Sequence, residues 1–127
     1  AQAFPTPDGA KWQDLTIRFT SDQRVQITVL GVSEPRNYTD MGFQDGRSKN
    51  PDTLWKFLRK LAENSGQIEN PEQAGLYRWS SVESRVQRLR KRLSELFQIP
   101  GDPFEPFALG KTYRARFKIE CGPSYST

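Results

Sequence analysis

Histidine is absent from this chain of 127 residues, and cysteine occurs once, at Cys121. The first absence removes histidine-based triads, the commonest general base and most zinc chemistry. The second removes an internal disulfide and a thiolate metal cluster. An enzyme made from this sequence would have to work with carboxylates, lysine or tyrosine alone, so the reading is a non-enzyme without metal or cofactor. No apolar run approaches the ~20 residues a membrane span needs. No basic stretch with an apolar run marks a retained signal peptide. The expectation is a cytoplasmic protein with no membrane partner, and a chain that starts with Ala rather than Met reads as an excised or processed fragment.

What the chain does have is bulk and positive charge. Three Trp and eight Phe supply core material, enough for one domain at this length and too little for two. The net charge of +4 is unevenly spread. Residues 1–50 hold six Lys or Arg and six Asp or Glu, whereas residues 51–127 hold thirteen and nine. The excess therefore belongs to the C-terminal part, and a basic half suggests a polyanion partner.

Residues 1–11 are rich in Pro, Gly and Ala and read as a flexible arm or linker ahead of a single domain, 12–127. In its first part, 12–49, Leu15, Ile17 and Phe19 alternate with polar residues, as do Val25, Ile27 and Val29. Both are half-buried strand patterns, with Ser21-Asp22-Gln23 as a hairpin turn between them. Residues 30–50 read as loop, with a short strand near Asn37–Met41. Three helices are expected over 50–97. The first takes Asn50 as its N-cap and Pro51 as its first residue. Its apolar stripe is Leu54, Phe57, Leu58 and Leu61, and Gly66 is its stop. A short second helix starts near Asn70-Pro71-Glu72. The chain closes with a hairpin over 104–121. Its second strand alternates Ala115, Phe117, Ile119 and Cys121 with mostly cationic residues, its turn is Leu109-Gly110-Lys111, and its first strand is Pro106–Leu109.

The third helix carries the clearest functional signal. Ser80 with Glu83 makes a capping-box pattern, and Val82, Val86, Leu89, Leu93, Leu96 and Phe97 form one apolar stripe. At about 100° per residue, Arg85, Arg92, Arg88 and Lys91 fall successively along one flank of that stripe, with Ser81 and Ser84 among them. Arg90 lies on the other flank, near Glu83.

Three segments resemble the DNA-binding effector domain of OmpR/PhoB-type response regulators. Leu54 to Gly66 looks like that family's first helix with its closing Gly. Val82 to Leu93, VESRVQRLRKRL, is similar to its recognition helix, V-D-x-x-I-x-x-L-R-x-K-L. Gly110-Lys111-Thr112-Tyr113-Arg114 looks like the G-x-G-Y-R of its wing. The likeness covers about residues 50–118 and implies an α+β fold: a winged helix-turn-helix with an N-terminal antiparallel β-sheet, three helices and a C-terminal β-hairpin wing. It implies sequence-specific binding of double-stranded DNA in transcription regulation, with the third helix in the major groove and the wing at the minor groove. Ser81, Ser84, Arg85 and Arg88 would face bases or flanking phosphates, the two arginines being suited to guanine O6 and N7. Lys91 and Arg92 would touch phosphate, and Lys111 or Arg114 would reach the minor groove. RNA polymerase and additional domains outside this stretch are further implied partners. The link Gly75 to Trp79, which often contacts polymerase in that family, is short here, and residues 98–107 are long and Pro-rich.

Other readings compete. A winged helix can serve protein–protein contact, here through the first two helices or Pro103–Phe107. A small carboxylate enzyme is a third reading. The basic flank alone could be only a solvated helix face, and Arg114, Arg116 and Lys118 only the charges of an edge strand. Gly110-Lys111-Thr112 is not a phosphate-binding loop, since Glu105 stands where the motif needs Gly. Asn37-Tyr38-Thr39 is a chance sequon, and Asp40, Asp45 and Asp52 are too scattered for a metal loop. Cys121, on the apolar face of its strand, reads as a buried hydrophobe.

Overall fold

The computed structural model describes residues 3–106 and 112–123. The expected alternation produces strands β1, Leu15–Phe19, and β2, Arg24–Val29, paired antiparallel from Leu15 opposite Val29 to Phe19 opposite Val25. Thr20 and Ser21 amides close the turn on the Arg24 carbonyl. Leu15, Ile17 and Phe19 are fully buried, as are Val25, Ile27 and Val29, because a period of two places them all on one face.

A third strand, β3, Val32–Asn37, lies where loop was expected, ahead of the short strand placed near Asn37–Met41. Pro35 hid it. Proline cannot donate to a ladder, but β3 is an edge strand and tolerates it. The next element is helix α1, Thr53–Glu63. It starts later than expected. Pro51 is taken up in a bridge with Gln44, and the Asp52 carboxylate caps the helix by accepting the Trp55 amide at 2.9 Å. Gly66 serves as part of the stop: at φ +88° its amide returns to the Leu61 carbonyl at 2.8 Å.

Strand β4, Gln67–Ile68, follows at once. The second helix is not formed. Pro71–Ala74 makes a single 3-10 turn, capped by Asn70 on the Gln73 amide at 3.1 Å. Gly75, left-handed at φ +72°, ends it. A few residues between Asn70 and a left-handed Gly are too short to carry an α-helix past its nucleation cost. Helix α2 then runs from Trp79 to Phe97. Its N-cap is Arg78, without a side-chain cap, and not Ser80. The fold is thus α+β, with two α-helices among the described residues rather than three.

The C-terminal segment divides between two sheets. Strand β5, Tyr113–Arg114, pairs antiparallel with β4. On the hairpin side, Phe104 stands opposite Ala115, the Glu105 amide reaches the Arg114 carbonyl, and the Arg116 amide reaches the Pro103 carbonyl. This makes a small C-terminal hairpin. Of the first strand expected at 106–109, only Pro106 lies within the described residues, and the turn Leu109-Gly110-Lys111 lies outside them. Past a bend at Arg116–Phe117, strand β6, Lys118–Cys121, joins the main sheet parallel to β1, with Ile17 opposite Ile119 and Phe19 opposite Cys121. The main sheet therefore has the order β3-β2-β1-β6 and is mixed, not the antiparallel sheet expected from its first strands.

Trp55 is the keystone of the core. It is fully buried, its ring centroid is 5.2 Å from that of Phe19 and 5.6 Å from that of Phe43, and its indole N–H donates to the Asp22 carbonyl at 2.8 Å. Residues 3–10, expected as an arm, lie against the end of α2. Phe4 is 5% exposed, stacks on Phe97 with centroids 5.5 Å apart and hydrogen-bonds through its amide to the Leu96 carbonyl. Arg36 of β3 stands over the Phe4 ring. Among the described residues no helix is long and apolar enough to cross a membrane.

Replacing Trp55 with Ala removes the largest fully buried side chain and orphans the Asp22 carbonyl. We expect a loss of about 3–5 kcal/mol in stability, read as a lower urea midpoint by circular dichroism, with Trp55→Phe falling between that variant and wild type.

Candidate functional site

The site is defined by how α2 is clamped. Its stripe of Val82, Val86, Leu89, Leu93, Leu96 and Phe97 is buried, each residue at most 3% exposed. That sets the rotation of the helix about its axis. One flank then meets the hairpin. Trp79 stacks against Tyr113 of β5 with centroids 6.0 Å apart. Arg90 donates to the Asp102 carboxylate at 3.0 Å and stands over the Phe104 ring at 5.8 Å. Arg90 thus finds its acid in the loop after the helix rather than in Glu83. Burial raises the Tyr113 hydroxyl above its ordinary pKa, helped by the nearby charge of Glu83 and opposed by Arg90.

The opposite flank holds the residues singled out in the sequence. Ser84, Arg88 and Lys91 are exposed, and Ser81 and Arg85 are half-buried. The side chains of Arg85, Arg88 and Lys91 make no hydrogen bond or ion pair with any described residue. Several other basic residues of the fold are engaged: Arg18 with Glu120, Arg36 with Glu34, Arg59 with Asp22 and Glu63, and Lys118 with Glu120, while Arg24, Arg47 and Lys56, elsewhere in the chain, are open as well. Three cations left open along two turns of a rigid helix concentrate positive charge on this flank.

Two expected members behave differently. Arg92 turns inward. Its guanidinium donates to the Gly42 carbonyl and lies over the Phe43 ring, 5.0 Å from the centroid. It is a tie between α2 and the loop before α1, not an open cation. The loop that captures it lies about fifty residues upstream, so helical periodicity carried no sign of it. Arg114 sits at the hairpin root, where it donates to the Gln67 side chain at 2.7 Å and approaches Glu105 at 3.7 Å. Lys111 lies outside the described residues. Of the segment Pro103–Phe107, Pro103 and Phe104 are buried and so unavailable as a docking surface.

Sequence reasoning places Tyr77 and Arg78 only in the link before α2 and assigns them no contact of their own. Both are exposed, Tyr77 at 95%. The signal available was an aromatic next to a basic residue directly before the cationic helix. Elsewhere, Asp45 is held below the usual carboxylate range by the amides of Arg47 and Ser48, which marks a turn in an exposed loop. Among the described residues, no grouping of three or more His, Cys, Asp or Glu could hold a metal. Cys121 is half-buried and packs against the core, and its thiol is raised above its ordinary pKa by burial and then by Glu63.

No family model matches the chain, and no curated protein or solved structure matches it either.

Two outcomes separate these roles. Arg92→Met should lower stability by about 1–2 kcal/mol, from a lost hydrogen bond and ring contact. Arg88→Ala should stay within about 0.5 kcal/mol of wild type; urea unfolding measures both. The raised thiol pKa leaves Cys121 a smaller thiolate fraction than free cysteine at any given mildly alkaline pH. Iodoacetamide should therefore label the native protein more slowly than a free thiol, the rate rising with pH and recovering fully in urea.

Proposed function

We propose that this domain binds double-stranded DNA as the effector domain of a transcription regulator, with α2 as its recognition helix. The observation that carries the reading is the open flank of α2, where Arg85, Arg88 and Lys91 stand without partners on a helix whose other sides are anchored. The order of elements is consistent with it. From α1 through β4, the 3-10 turn, α2 and the hairpin, the sequence of parts is that of a winged helix-turn-helix in which the second helix has shrunk to one turn.

The chemistry follows from the phosphates of the duplex. Lysine and arginine that neutralise phosphates release condensed counterions, and this drives association. A helix lying in the major groove then offers its side chains to base edges. Arg85 and Arg88, one turn apart, are the candidates for guanine. Ser81 and Ser84 can take base or phosphate contacts, and Lys91 a phosphate. Arg92 is occupied within the fold and is not assigned a contact. The ion pair of Arg114 is more than a third exposed on both sides, and such pairs are weak, so Arg114 can exchange Glu105 for a phosphate when the hairpin meets the backbone.

Duplex binding measured by fluorescence anisotropy should weaken steeply with salt, log K falling against log salt with a slope of roughly −3 for three to four neutralised phosphates. Replacing both Arg85 and Arg88 with Ala should weaken binding and erase preference among duplexes selected from a random pool. Equal affinity and selectivity in the double variant would reject the reading.

A further inference from the structure

The residues just before α2 present an unusual surface. Tyr77 leaves 95% of its area in solvent, whereas Tyr38 and Tyr113 pack against or within the core. A ring so exposed contributes nothing to packing. Beside it, Arg78 is exposed, takes an extended backbone at φ −132° and ψ 145°, and makes no hydrogen bond or ion pair through its side chain with any described residue.

Neither residue hangs from a loose loop. On one side Leu76 packs against the core, and its amide hydrogen-bonds to the Pro71 carbonyl at 3.0 Å. On the other, Trp79 stacks on Tyr113. Tyr77 and Arg78 are therefore held outward between two fixed neighbours. Arg78 is also the N-cap residue of α2, directly ahead of the first turn, which carries Ser81.

We propose that Tyr77 and Arg78 form a phosphate clamp on duplex DNA, extending the α2 surface beyond its N-terminal end. This deepens the DNA-binding reading and rests on it. The Tyr77 hydroxyl donates to one backbone oxygen and the Arg78 guanidinium to a neighbouring one. Such contacts set the register of the helix on the duplex without reading bases. The charge favours a polyanion over an apolar protein surface: Arg78 extends a run of open cations and adds no apolar area.

The test uses the whole chain with two probes, a duplex of mixed sequence and a duplex selected from a random pool, each titrated over a range of salt. Arg78→Ala should weaken binding to both probes by the same factor and reduce the salt slope by about one. Tyr77→Phe should weaken both roughly tenfold, as expected for losing a hydrogen bond to a charged group, while leaving the slope unchanged. Selectivity between the probes should survive both changes, in contrast to the Arg85 and Arg88 double variant. If wild type binds both probes and these two variants match it in affinity and slope, the clamp is overturned while the DNA reading stands, and the surface belongs to a protein partner. Weak binding by Tyr77→Ala with normal binding by Tyr77→Phe overturns the hydroxyl contact. Failure of wild type to bind either duplex removes the DNA reading and the clamp with it. Both residues are exposed, so circular dichroism should show each variant folded.

Discussion

The burial of one helix stripe governs the rest of this structure. Six apolar side chains of α2, from Val82 to Phe97, lie in the core, each such burial contributing about 1.5–3 kcal/mol. Their directions leave the helix no freedom to roll. That fixed azimuth decides which flank of α2 meets the hairpin, where Arg90 is held, and which flank carries Arg85, Arg88 and Lys91. The strap of residues 3–10, held by Phe4 on Phe97, closes over the far end of the same helix and stops it from sliding.

Once the helix cannot turn, its basic residues fall into separate classes by position alone. Arg90 points to the hairpin side and is consumed by Asp102 and Phe104. Arg92 points to the loop before α1 and is consumed by Gly42 and Phe43. Arg85, Arg88 and Lys91 face neither and remain open. Near-neighbours in the chain thus hold the fold together or lie available to a partner according to position along the axis as well as around it: Arg92 shares a flank with Arg85 and Arg88 but lies further along, where it reaches Gly42 and Phe43. The hairpin matters here as an anchor as much as a wing, because Trp79 on Tyr113 ties it to the first residue of α2.

Local chemistry was legible where it outweighed tertiary context. The alternation at Leu15–Phe19 and Arg24–Val29 and the stripe of α1 were readable because burial on one face imposes a period. The absence of a second helix was half legible: Pro71 and Gly75 bracket a segment too short to be helical, yet Asn70-Pro71-Glu72 looks like any helix start. The start of α2 was misread at Ser80 because a good capping pattern lost to a ring contact. Trp79 is drawn into the first turn by Tyr113, more than thirty residues away. Strand β3 was missed because Pro35 argues against a strand unless the strand is known to lie at an edge, and edge position is a property of the sheet.

The sequence by itself determined which residues are apolar and with what period, and so that α2 would be amphipathic with cations beside its stripe. It also determined, through the lack of histidine and the single cysteine, which chemistry was out of reach. Only the tertiary structure decided that β6 pairs parallel with β1 instead of completing a hairpin, that Arg92 is an internal tie, and that Tyr77 and Arg78 stand outward between fixed neighbours. The reason is physical. Periodicity depends on neighbours three or four residues away, whereas the partner of a strand edge or a guanidinium is a group brought close by the folding of distant segments, and nothing in local spacing encodes its arrival.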